Sequence, residues 1–202
     1  MSRKLIVLAL AGLLGLAVTS VASARWFNVI RGTRNADTLV GTDNRDLILA
    51  FAGDDQVSAG GGSDIVYAGR DNDTVDGGPG FDRIFGGQGD DTLSGGDGPS
   101  VIWGGDGNDS ITGGTGRNRL HGGKGDDTVN GGPMRDWIWG GPGVDTENGG
   151  DGNDVLHALA PDMQVDTLDC GPGDHDVAWI RAGEPDVTLN CEVVHTVPRE
   201  GT

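Results

Sequence analysis

The sequence is poor in most of what builds a thick globular core. Aromatic residues make up 5% of its 202 residues and hydrophobic residues 35%, too little for a large two-layer enzyme fold. Lysine occurs only at Lys4 and Lys124, and Lys plus Arg total 14 against 31 Asp plus Glu. A formal charge of -17 argues against a nucleic-acid binder, whose affinity comes from cations neutralising phosphates. What is plentiful is carboxylate and glycine, the latter at 39 residues. So large a surplus of one charge either keeps a chain unfolded or awaits cations. The spacing of the glycines decides between these.

Long apolar runs are confined to the N-terminus. Arg3 and Lys4 precede an apolar stretch over 5–18, and Ala22-Ser23-Ala24 supplies a small-residue cleavage site, which predicts an export signal over residues 1–24. Fourteen apolar residues fall short of the about 20 that span a bilayer, so no membrane span is expected. Removing Arg3 and Lys4 with the signal takes the net charge from -17 to -19. An exported chain meets oxidising conditions, in which Cys170 and Cys191 are expected to pair.

From Gly32 the chain divides into blocks of nine without a gap to His157: GTRNADTLV, GTDNRDLIL, AFAGDDQVS and so on to GGDGNDVLH, fourteen in all. Position six is Asp in twelve blocks, Ser100 and Asn118 being the exceptions, and position eight is Leu, Ile or Val in all but one, where Glu147 stands. Each unit is too small to bury its own apolar residue, so the units must stack. The glycines of positions one to four allow a tight turn with carbonyls exposed. Positions seven to nine form a short strand, and alternation along it sends position eight inward and positions seven and nine outward. Two parallel sheets back to back then enclose a thin Val/Ile/Leu core.

The pattern closely resembles GGxGxDxUx, the glycine- and aspartate-rich nonapeptide of the RTX family. The resemblance implies an all-β fold, a right-handed parallel β-roll with two nonapeptides per coil and about seven coils over 32–157. It also implies calcium between successive loops on each edge, held by position-six carboxylates and loop carbonyls. That donor set suits calcium, which takes six to eight oxygens, and not zinc, which prefers His or Cys. Taken singly, each Asp has the commoner reading of a turn residue. Strict register favours calcium.

With two blocks to a coil, every second loop falls on the same edge. One edge then carries Asp37, Asp55, Asp73, Asp91, Asp109, Asp127 and Asp145. The other carries Asp46, Asp64, Asp82, Ser100, Asn118, Asp136 and Asp154. Six intact neighbouring pairs on the first edge and three on the second give about nine full sites on the stacking logic of the repeat. The first loops, GTRNAD, GTDNRD and AFAGDD, lack paired glycines and are expected to bind weakly.

The same parity sorts the outward side chains. Odd blocks present polar residues at positions seven and nine, apart from Val40. Even blocks present Leu49, Tyr67, Phe85, Trp103, His121, Trp139 and His157 at position nine, with Trp137 at position seven. Such an apolar column marks a contact surface for a protein, a glycan or a second copy, a face covered by the C-terminal segment, or an exposed ladder stabilising its sheet. The residues alone leave the three open. His121 and His157 are two coils apart, about 9.6 Å at a strand spacing of about 4.8 Å, too far to share one metal ion.

Residues 25–31 are expected to form a capping strand. After His157 three residues are inserted, PDMQVDTLD restores Asp166 at position six, and CGPGDHDVA follows out of step, leaving Asp174 and Asp176 open as ligands. Residues 158–202 read as degenerate repeats and a disulfide-closed cap. No HExxH or GxSxG motif occurs, and the four histidines are scattered, so no enzyme is expected. The reading is a secreted calcium-binding repeat protein that folds on meeting calcium, with a binding module using the aromatic face as the alternative.

Overall fold

A nine-residue unit with one aliphatic residue can bury it only against copies of itself. The computed structural model describes residues 6–7 and 27–198, and there the units stack as an all-β parallel solenoid of two sheets. Odd blocks build a nine-stranded sheet running from Thr38–Thr42 through Gln56–Gly60 and Thr74–Asp76 to Thr167–Asp169 and Val187–Leu189. Even blocks build an eleven-stranded sheet, in which Asp46–Leu49, Ile65–Arg70, Asp82–Gln88 and Ser100–Asp106 continue to Val177–Arg181 and Val193–Val197. It begins with the two-residue strand Ile6–Val7 beside Asn28–Arg31. The remainder of the expected export signal lies outside the described residues.

Register follows the repeat. Leu39 aligns with Val57, Val57 with Val75, and Ile84 with Ile102, each residue facing its counterpart two blocks on. Position eight is therefore one continuous internal row on each sheet, and its aliphatic members from Leu39 to Leu156 are at most 4% exposed. Ala50, Ala59 and Ala68, at position one of their blocks, are also sealed inside. The core is two side chains thick. A unit without neighbours would leave its inward residue in water, so stacking is the whole logic of the architecture.

The stack runs to about nine turns where the regular blocks alone give seven. The insertion after His157 is absorbed in a loop, so Thr146 still aligns with Thr167 and Val155 with Val177 despite the longer connection. The described C-terminal residues thus extend both sheets and do not cross the aromatic face. Cys170 and Cys191 are joined, with Cα atoms 5.1 Å apart, and Cys170 belongs to the core.

Position nine of the even sheet forms one unbroken stack of rings. Tyr67, Phe85, Trp103, His121, Trp139, His157, Trp179 and His195 follow one another with centroids 4.2 to 6.2 Å apart. The first six ring pairs are within 12° of parallel. Trp137 stands in the neighbouring position-seven column, beside Arg119. Each interior ring spends both faces on its neighbours and offers solvent only an edge. Replacing Trp103 and Trp139 by Ser removes four stacked contacts, at about 0.5–1.5 kcal/mol each. Denaturant unfolding of that double variant should show a loss of roughly 2–6 kcal/mol; undiminished stability would mean that the column serves something other than the sheet.

Candidate metal centre

The position-six side chains lie where each loop enters its strand, and they point inward. All twelve aspartates are buried, Asp37 at 7% being the most exposed. In ten of them, all but Asp37 and Asp46, one oxygen is engaged by the neighbouring coil. The N–H of Asp37 donates to Oδ1 of Asp55 at 2.7 Å, and the rungs repeat from Asp55 to Asp73, Asp91, Asp109, Asp127 and Asp145. On the other edge they run from Asp46 through Asp64 to Asp82, and from Asn118 through Asp136 to Asp154.

The second oxygen is different. Oδ2 of Asp55, Asp64, Asp73, Asp82, Asp91, Asp109, Asp127, Asp136, Asp145 and Asp154 is buried and accepts no hydrogen bond. An unmatched buried acceptor costs about 1–3 kcal/mol, and more if charged. A backbone carbonyl lies close to each of several of these oxygens. A Cβ built on Gly77 would lie 2.9 Å from the carbonyl oxygen of Gly95 and 3.0 Å from Oδ2 of Asp82. The same pair of atoms, a position-six Oδ2 and the next coil's position-one carbonyl, flanks Gly86, Gly104, Gly122 and Gly131. Two oxygens with partial or full negative charge thus face one point, and a cation resolves the conflict. Among the described residues no three His, Cys, Asp or Glu side chains gather at one place. The donors therefore fit a hard cation that mixes carboxylate with carbonyl oxygen, as calcium does.

The irregular loops show how the conflict is resolved without an ion. In the first two blocks threonine replaces the second glycine. The N–H and hydroxyl of Thr33 both donate to Oδ2 of Asp37, and those of Thr42 to Oδ2 of Asp46, at 2.5 to 3.0 Å. The threonines thus close Oδ2 of both carboxylates within their loops, while Oδ1 of Asp46 stays buried without a partner. At the other exception the amide of Asn118 donates to the carbonyls of Gly116 (2.8 Å) and Gly131 (3.5 Å), and Ser100 Oγ donates to that of Gly95 (3.4 Å). Neutral donors stand where Oδ2 stands elsewhere.

Both ladders continue past the regular blocks. The N–H of Asp145 donates to Asp166, that of Asp166 to Asp186, that of Asp154 to Asp176, and that of Asp176 to Oε2 of Glu192. Asp176, not Asp174, takes the ladder position; the N–H of Asp174 instead bonds Asn153 on the outer rim. The repeat pattern does not single out Asp186 and Glu192, because their spacings from Asp166 and Asp176 leave the two-block register. The signal for them is an acid followed at the third position by Leu189 or His195 on the strand.

Burial dominates the electrostatics. It pushes the carboxyls of Asp55, Asp82, Asp109 and Asp154 up to about 6 and those of Asp64, Asp73, Asp91, Asp127, Asp136 and Asp145 up to about 7, against an ordinary 3.8, with the backbone rungs opposing the shift. Glu147, the position-eight exception, is fully enclosed and turns back to accept the N–H of Gly140. Burial holds its carboxyl well above the ordinary range.

Fold and site together define a β-solenoid with unpartnered, buried carboxylate oxygens repeated along both edges. The family model of the RTX calcium-binding nonapeptide repeat matches residues 31–66, 67–102, 103–133 and 134–158, and the chain belongs to that family. It is a calcium-binding repeat protein. A search of curated proteins finds no match.

Changing Ser100 and Asn118 together to Asp should complete the second edge and raise the number of calcium ions bound, measured by equilibrium dialysis; an unchanged count would show that position six does not set the sites. The raised carboxyls make the roll sensitive to pH as well. Their contribution to the ion-free roll is full below pH 3.8, the ordinary value, and lost as pH rises through 6 to 7. In chelator the thermal midpoint should therefore rise between pH 7.5 and 5, while calcium affinity falls over the same interval.

Proposed function

We propose that this is an exported calcium-binding protein whose roll forms as calcium binds, and that it works as a structural and binding element without catalysis. The observation that carries the reading is the row of buried Oδ2 atoms with no partner. An unfolded chain has no such sites, so the free energy of binding becomes free energy of folding. The raised carboxyls add to the argument, because at neutral pH the ion-free roll must either protonate them or bury charge.

The proposed ligands are the position-six carboxylates with position-one and neighbouring loop carbonyls. Asp55 through Asp145 on the first edge, and Asp64, Asp82, Asp136 and Asp154 on the second, carry the free oxygens. Asp37 and Asp46, closed by Thr33 and Thr42, contribute the weakest sites. About nine sites is the stacking count for the regular blocks. Extracellular modules bind calcium at about 10⁻⁴ to 10⁻³ M, so export would deliver the chain to its folding ion, and the joined Cys170 and Cys191 agree with an oxidising destination.

The alternative of a contact face at Tyr67, Phe85, Trp103, His121, Trp137 and Trp139 is less well supported. Stacking occupies the interior ring faces that a sugar would need. Circular dichroism during a calcium titration tests the main reading. The sheet signal should appear with calcium and vanish with excess chelator; a signal indifferent to chelator would contradict folding on calcium.

A further inference from the structure

One loop edge carries a column of exposed aspartates and the other a set of exposed arginines. Position five of the odd blocks forms an exposed column of Asp54, Asn72, Asp90, Asn108 and Asp126. These side chains make an outer ladder. Oδ1 of Asp54, Asp90 and Asp126 accepts the N–H of Asn72, Asn108 and Val144, and Oδ1 of Asn72 and Asn108 accepts that of Asp90 and Asp126. Asparagine performs the bonding as well as aspartate does, at 2.8 to 3.0 Å in every case. The charge on alternate rungs is therefore not required by the ladder. It recurs every second coil, about 9.6 Å at the strand spacing.

The even edge carries arginine less regularly, in coils one, three, five and six. Arg45 and Arg117 occupy position five of the first and fifth coils. Between them, in the third coil, the guanidinium of Arg83 lies 4.9 Å from the ring centre of Phe81, the position-five residue there. Phe27 similarly supports Arg45 at 4.6 Å. Arg119 and Arg135 both lie on Trp137, at 5.7 and 4.8 Å, in the stretch where Ser100 and Asn118 have removed two carboxylates. All five arginines are exposed. Among the described residues the ion pairs are Lys124–Asp106 and Arg181–Glu184, so none of the five forms a close ion pair, although Arg45 and Arg135 lie near enough to Asp64 and Asp154 to favour their charged forms.

We propose that copies of this chain associate side by side, the arginine edge of one against the position-five aspartate column of the next. Aspartates fall in coils two, four and six and arginines in one, three and five, with Arg135 added in coil six, so the main rows match when the copies are related by translation with a shift of one coil. Guanidinium and carboxylate pair in a fork geometry that favours such fixed rows. Asp43, Asp97 and Asp151 on the arginine edge, in coils one, four and seven, and Arg34, Arg70 and the Asp106-paired Lys124 on the aspartate edge, in coils one, three and six, oppose the contact within the rows as well as at their ends. The interface is heterologous, so repetition builds open ribbons and not a closed dimer. Calcium enters through the proposed function on which this rests. Bound ions cancel most of the self-repulsion of a chain at -17, and only then can the edges approach.

Sedimentation velocity of the protein in calcium tests this, with circular dichroism of the same samples reporting folding separately. Association should grow at low salt and be lost at high salt. Arg83→Glu with Arg117→Glu, and Asp90→Asn with Asp126→Asn, should each fold with calcium and weaken association at least tenfold. An equal mixture of the two retains one good edge on each partner and should give pairs that do not extend. A wild type that stays monomeric in calcium at low salt overturns the proposal, even if it is retained on an immobilised acidic polysaccharide. So does undiminished association of the arginine variant.

Discussion

Everything in this molecule depends on a carboxylate whose two oxygens have different fates. Oδ1 of a position-six aspartate is bound by the backbone of the adjoining coil, which fixes the side chain inside the turn. Oδ2 is then held indoors beside a carbonyl oxygen, with nothing of its own to neutralise it. One bond builds the stack and the other withholds stability from it. Short strands and a core two side chains thick offer little against that cost, which is the basis for the proposal that fold and ion are coupled.

The exceptions follow from the same constraint. Threonine hydroxyls at the first two loops, the Asn118 amide and the Ser100 hydroxyl each bring a hydrogen to the place a cation would take. Neutral closure is thus available to the fold, but it is confined to two stretches. Elsewhere the sheets are reinforced from outside, by the ring stack on one face and by the outer Asp/Asn ladder on one edge, both of which use the same parallel register.

Much of this is legible in the sequence because the period is unbroken. Twelve aspartates at position six and a nearly pure aliphatic position eight dictate the inward rows, and block parity separates the edges and gathers Tyr67 to His157 on one face. The last two turns are hidden, since their connections lengthen and then shorten, which breaks the count while the strands still align. Asp166 stands out as a candidate and Asp174 and Asp176 stay as alternatives; Asp186 and Glu192 do not stand out. Nor does a sequence tell that Thr33 and Thr42 satisfy their own aspartates, because that rests on where a hydroxyl points. The role of the aromatic column likewise turns on ring orientation, which composition does not carry.

The central claim is that calcium sits against the buried Oδ2 atoms between successive coils. Crystals grown with calcium and measured at a wavelength that makes calcium's anomalous signal visible test it directly. The account predicts peaks along the whole edge from Asp55 to Asp145 and a gap on the other edge at Ser100 and Asn118. Peaks confined to exposed acids such as Asp54 and Asp71, with the inner oxygens bare, would contradict it.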